Sequence, residues 1–154
     1  MAEGDGVEPM YELKTESSFD AAHFLTCYQG KCENLHGHRW RVVANLRARE
    51  LHGTGTQRDM VVDFADLKRV LRELTGKFDH TFLVEDGSLA TDTLDCLERE
   101  GFALSIVPFR TTAENLAKYF ADGLLAAGLP VSQVDVFETP NNCASYYLDG
   151  NGGR

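Results

Sequence analysis

Two stretches near the start of the chain alternate apolar and polar residues with a period of two, a pattern that buries one face only as a β-strand. Tyr11, Leu13, Thr15, Ser17 and Phe19 fall in phase in the first, and Trp40, Val42, Ala44 and Leu46 in the second. The far end carries a matching pair. Val131 to Phe137 and Cys143 to Leu148 are strand-like runs joined by Thr139-Pro140-Asn141-Asn142, a turn signal. Between the pairs lie two helical patterns. Asp63 suits the N-cap of a helix in which Phe64, Leu67, Val70, Leu71 and Leu74 share a face and which Gly76 ends. Thr111 and Glu114 read as the capping box of a second helix, with Leu116, Ala117, Phe120, Leu124 and Leu125 inward and Gly128 as terminator. Met60 to Val62 reads as a short strand entering the first helix. Residues 81–108 resist assignment, because Gly87 and Gly101 break every long run. The order predicts an α+β domain, a four-stranded antiparallel sheet with two helices on one face. The open edges of such a sheet invite pairing between subunits.

At 154 residues the chain suits one domain, read as residues 11–150 behind a Gly- and acid-rich tail at 1–10. With 43% hydrophobic and 25% charged residues, a disordered or coiled-coil chain is excluded. The formal net charge of −9 argues against nucleic acid as a partner, while a locally cationic pocket for a small anion stays open. No apolar run approaches the ~20 residues of a membrane span, and the opening Met1-Ala2-Glu3-Gly4-Asp5 lacks a leader pattern, so a cytoplasmic protein without membrane contact is expected. Cys27, Cys32, Cys96 and Cys143 then read as thiols.

Two of only five histidines stand at His36 and His38, on either side of Gly37 and just ahead of the second strand. In extended backbone, residues two apart project from one face, and Gly37 permits close or unusual backbone between them. His23 ends the first strand, and pairing of the strands would bring it opposite. Three imidazoles with an open fourth position are a catalytic zinc arrangement. A closed structural site from Cys27, Cys32, His36 and His38 is the alternative, although its Cys-x₄-Cys and His-x-His spacings differ from those usual in zinc fingers.

These residues sit in motifs that resemble the 6-pyruvoyltetrahydropterin synthase family. They are Phe19-Asp20-Ala21-Ala22-His23, Cys32-x₃-His36-Gly37-His38, Met60-Val61-Val62-Asp63-Phe64, Phe78-Asp79-His80, Thr112-Ala113-Glu114-Asn115-Leu116 and Glu138-Thr139, in that order from about Tyr11 to Leu148. The Cys-x₃-His-Gly-His spacing is similar to the bacterial 6-carboxytetrahydropterin synthase branch of queuosine biosynthesis. The resemblance implies the tunnelling fold, in which sheets of three subunits join into a barrel and two rings stack. It also implies a homo-oligomer with active sites between subunits, Zn²⁺ as cofactor and 7,8-dihydroneopterin triphosphate as substrate. The expected products are 6-carboxytetrahydropterin, acetaldehyde and triphosphate. By the same resemblance His23, His36 and His38 would bind zinc, Cys32 would transfer protons, Asp79 and His80 would form an acid–base pair, and Glu138 would anchor the pterin. Thr111 and Thr112 are further pterin contacts on this reading. Competing functions are 6-pyruvoyltetrahydropterin formation by triphosphate elimination and a non-enzymatic, zinc-stabilised interaction module. The chain departs from the family where Asp59 replaces the usual Gly before Met-Val, where Leu83 is followed by Val84, and in the length of residues 86–108.

Overall fold

The computed structural model describes residues 9–148, so residues 1–8 of the expected tail and the last residues of the expected domain lie outside it. Strand β1 runs Tyr11–His23 and β2 His36–Ala48, each longer than its alternating core because both continue through their histidines. Their antiparallel register pairs Tyr11 with Ala48 at one end and His23 with His36 at the other. Phe19, Ala21, Trp40, Val42, Ala44 and Leu46 point inward, as their alternation requires. Strands β5 (Val131–Thr139) and β6 (Asn142–Tyr147) form the expected second hairpin, and β5 lies against β2.

The sheet differs from expectation in having six strands in the order β4-β3-β1-β2-β5-β6. Residues 81–108 supply the extra elements: β3 (Thr81–Glu85), helix α2 (Thr91–Arg99) and β4 (Leu104–Val107). β3 pairs with β1, and β4 with β3, in parallel, so the sheet is mixed rather than antiparallel. Parallel neighbours need a crossover, and helix α1 (Phe64–Gly76) and α2 provide the two. These strands are short and broken by glycine turns, and α2 buries no residue completely, so their apolar periodicity is weak. Met60 to Val62 is irregular chain, not a strand.

Helices α1 and α3 (Ala113–Ala126) cover one face of the sheet, with Leu67, Leu71, Leu116, Phe120 and Leu124 in the same core as Phe19 and Trp40. Asp63 caps α1 as expected, its carboxylate accepting from the N–H of Ala65 at 2.7 Å. For α3 the expectation fails by one residue. The N-cap is Thr112, whose hydroxyl accepts from the N–H of Asn115 at 3.3 Å, while Thr111 is buried and bonded elsewhere. The other sheet face is polar, with Glu12–Arg47, Glu16–Arg41 and Asp20–Arg39 pairs between β1 and β2.

Asp59, where the family usually has glycine, adopts φ of +64° and donates its N–H to the carbonyl of His52 at 2.8 Å. Asp tolerates this left-handed conformation better than most residues, and a β-branched residue does not. Asp59→Val is expected to lower unfolding stability by ~1–2 kcal/mol, measured by denaturant titration, with Asp59→Gly at least as stable as the parent.

Candidate metal centre

The β1–β2 register brings the three histidines together. His23 faces His36 directly, and Ala21 faces His38, so the rings project side by side from the core face at the strand ends. One nitrogen from each lies within 4.8 Å of the others. Trp40, two residues beyond His38 on the same face, places its ring edge-on to His23 and His38 at centroid distances of 4.9 and 5.2 Å. That indole is wholly buried and fixes the imidazole planes from the core side. Gly37 is ordinary extended backbone, contrary to expectation. A Cβ there would make normal contacts, 3.4 Å from the Ala21 carbonyl and 3.6 Å from the Ala22 Cα.

The hydrogen bonds assign the protons. His23 Nδ1–H donates to the carbonyl of Thr111 at 2.9 Å, and His36 Nδ1–H donates to the carbonyl of Asn34 at 2.7 Å. In neutral rings both Nε2 atoms then carry lone pairs, yet they stand 3.1 Å apart. Two lone pairs at that distance repel unless a cation lies against both. Zn–N bonds of ~2.0–2.1 Å place neighbouring tetrahedral nitrogens about 3.3 Å apart, close to this spacing. His38 Nε2 is buried without a hydrogen-bond partner, a third donor left for the same cation. The donor set fits a zinc-type ion.

Burial is the main force pushing the His23 imidazole down to about 4, and the neighbouring histidines act in the same direction. His38 is also lowered, chiefly by burial and against the pull of Glu138. His23 thus stays neutral in mildly acidic solution. An unfolded histidine titrates near 6.5, so between about pH 6.5 and 4 the unfolded chain binds a proton that the folded chain refuses. Metal-free protein is therefore expected to lose stability as pH falls through that window, by on the order of 3 kcal/mol. Urea titrations at several pH values check this, and His23→Gln should remove that share of the slope.

The remaining expected site residues divide into two groups. Glu138, at the end of β5, reaches the histidines, its Oε1 lying 3.5 Å from Nε2 of both His23 and His38. Cys32 lies in a single 3-10 turn, Lys31–Glu33, on the loop joining His23 to His36. Its carbonyl accepts from Leu25 N–H at 2.8 Å, and Arg110 donates to the Thr26 carbonyl at 2.6 Å, so the loop is pinned at its base. Neither Cys27 nor Cys32 joins the metal-binding group, and the closed Cys₂His₂ alternative is not assembled. Thr111 has no exposed surface. Its carbonyl orients His23, and its hydroxyl, 3.2 Å from His23 Nδ1, donates to the carbonyl of Phe24.

Asp79 and His80 are not brought to the three histidines. Asp79 accepts from the N–H of Asp20 at 2.9 Å and from His80 Nδ1 at 3.0 Å, and these bonds, the backbone one foremost, hold its carboxyl below the usual range. His80 adopts φ of +57° and opens onto a shallow depression at the strand ends, shared with Asp20, Ala21, Ala22, Gly37, His38 and Arg39. By strand alternation Asp20, Ala22, Gly37 and Arg39 belong to the face opposite the imidazoles, and Ala21 and His38 to the imidazole face, so the depression lies at the edge between the two. Sequence reasoning missed Trp40, Asn34 and Arg110 as supports. Only for Trp40 was there a signal, since it shares the parity of His36 and His38.

A family profile described as 6-pyruvoyl tetrahydropterin synthase matches residues 12–149. A Haemophilus influenzae protein named 6-carboxy-5,6,7,8-tetrahydropterin synthase is 34% identical over 144 residues, covering 89% of this chain and 99% of that protein. A Synechocystis protein of the same name is 31% identical over 140 residues, covering 90% of this chain and 94% of its own. Among solved structures, an uncharacterised Wolinella succinogenes protein superposes with a TM-score of 0.72 at 21% identity, over 92% of this chain and 99% of that one. The Caenorhabditis elegans 6-pyruvoyl tetrahydropterin synthase does so with a TM-score of 0.65 at 26% identity, over 90% and 96%. With its motifs in order, its fold matched and its length covered, this chain belongs to the 6-pyruvoyl tetrahydropterin synthase family of enzymes.

Proposed function

We propose that the chain is a zinc-dependent, cytoplasmic 6-carboxytetrahydropterin synthase of queuosine biosynthesis. It takes 7,8-dihydroneopterin triphosphate and one water to 6-carboxy-5,6,7,8-tetrahydropterin, acetaldehyde and triphosphate. The observation that carries this reading is the convergence of three histidines whose hydrogen bonds leave lone pairs facing one another, in a chain whose relatives bear the synthase name. Zinc held by His23, His36 and His38 supplies Lewis acidity toward the oxygens of the substrate's side chain.

The chain's own groups move protons and orient the substrate. Glu138 offers a carboxylate to the two N–H donors of the pterin's amino-pyrimidine edge. Cys32, half-buried on its pinned loop, exchanges protons with the side-chain carbons. Asp79 accepts from His80 Nδ1, which leaves Nε2 as the proton-accepting atom of that ring. Thr112 is better placed than Thr111 to meet a pterin, since part of its surface is exposed.

Because the Asp79–His80 pair is not part of the histidine cluster of its own chain, it serves the site of a neighbour. Two sheet edges support such an assembly. β3 meets β1 only at Ala21 and Ala22, so among the described residues the outer edge of β1 from Tyr11 to Phe19 has no strand partner, and neither has the outer edge of β6. Pairing β1 of one copy with β6 of the next is a head-to-tail contact that closes a ring. Three copies per ring and two stacked rings are the assembly that the family resemblance implies.

Incubation of zinc-loaded protein with 7,8-dihydroneopterin triphosphate, followed by mass spectrometry, tests the reading. Equal amounts of 6-carboxytetrahydropterin and trapped acetaldehyde are expected. Accumulation of 6-pyruvoyltetrahydropterin would assign the triphosphate-eliminating activity instead, and an unconsumed substrate would reject both.

A further inference from the structure

Glu138 occupies a position that a simple pterin anchor does not need. Its Oε1 stands 3.5 Å from two imidazole nitrogens, His23 Nε2 and His38 Nε2. His23 Nε2 carries a lone pair, because its Nδ1–H is committed to Thr111. A carboxylate oxygen beside such an atom is repelled unless a proton or a metal cation lies against both. Its distance to these two of the three nitrogens is close to the spacing of neighbouring zinc ligands, about 3.3 Å, although Glu138 itself stands outside the three-histidine group. The backbone aims it there. The β5–β6 register slips between Phe137, which pairs with Cys143, and Thr139, which pairs with Asn142, so Glu138 is the extra residue of a bulge. Bulges re-aim a side chain without disturbing the strands on either side. On its other flank Glu138 borders a cavity of about 480 Å³, shared with Gly37, His38, Arg39, Phe137 and Thr139, which has room for a flat heterocycle.

We infer that Glu138 serves two partners in turn, filling the fourth place of the three-histidine centre while pterin is absent and leaving it to take the pterin's amino-pyrimidine edge. This rests on the metal-dependent reading above and extends it. One carboxylate cannot accept two pterin N–H donors and face the imidazole cluster at once, so pterin binding itself opens the centre to the substrate's side chain. The centre is thus shielded from stray anions until the correct heterocycle arrives.

Cobalt(II) in place of zinc reports the coordination change directly. The probe ligand is 6-methylpterin, which has the pterin edge but no side-chain oxygens to reach the metal. Full-length wild-type protein is expected to bind one cobalt per chain and to shift its visible d–d spectrum when 6-methylpterin is added. E138Q is expected to bind cobalt about tenfold more weakly and to show, before any ligand, the spectrum that the wild type reaches afterwards. An unchanged wild-type spectrum on adding saturating 6-methylpterin, or coincident resting spectra and affinities of wild type and E138Q, would overturn the inference and leave the metal reading intact. Failure of the wild type to bind cobalt, or equal binding by H36A, would remove the metal reading beneath it.

Discussion

Cys32→Ala is expected to lower turnover by roughly 10²- to 10⁴-fold while retaining metal and fold, on the proposed role of Cys32 as a proton-transferring thiol that ligates nothing. The residue stands on the loop between two histidines of the cluster, so a thiol there is close in sequence to the centre without belonging to it. Its structural contribution is the backbone carbonyl that accepts from Leu25 N–H, and alanine keeps that bond. The variant should therefore bind one metal per chain and unfold near the wild-type temperature. Joint loss of metal and fold would instead mean that sulfur holds the ion.

His36→Ala is expected to do the reverse, weakening metal binding by more than about 10²-fold and reducing turnover to background. Disturbing an outer support of a metal ligand costs 10- to 100-fold in affinity, so removing the ligand itself costs more. The fold should survive, because His36 is only partly buried at the start of β2. The metal-free variant should even match or exceed the stability of the metal-free parent, since the 3.1 Å contact between the His23 and His36 Nε2 atoms disappears. Metal-free thermal unfolding of the two proteins measures this. A lower midpoint for His36→Ala would show that the imidazole contributes packing rather than crowding.

The parts of the fold visible in sequence are those with strong local periodicity. β1, β2, α1, α3 and the terminal hairpin each bury a regular face, and Asp63 and Gly128 mark helix ends by their own chemistry. β3, α2 and β4 were illegible because four or five residues of parallel strand have no alternation to read, and α2 has no fully buried stripe. Thr111 and Thr112 are equivalent on paper as caps of α3. The packed chain turns one toward Asn115 and seals the other against His23. The histidine cluster was readable because strand parity alone places His36 and His38 on one face. The reach of Glu138 to them was not, since the bulge that aims it leaves no local signature. The exclusion of His80 from the cluster was likewise not readable, since it depends on how the turn after α1 sits at the ends of β1 and β2.

X-ray absorption at the zinc edge of the purified, metal-loaded protein tests the central claim most directly. Light-atom scatterers at ~2.0–2.1 Å with the multiple-scattering pattern of three imidazoles are expected, together with one zinc per chain. A sulfur scatterer at ~2.3 Å, or fewer than three imidazoles, would contradict the centre described here.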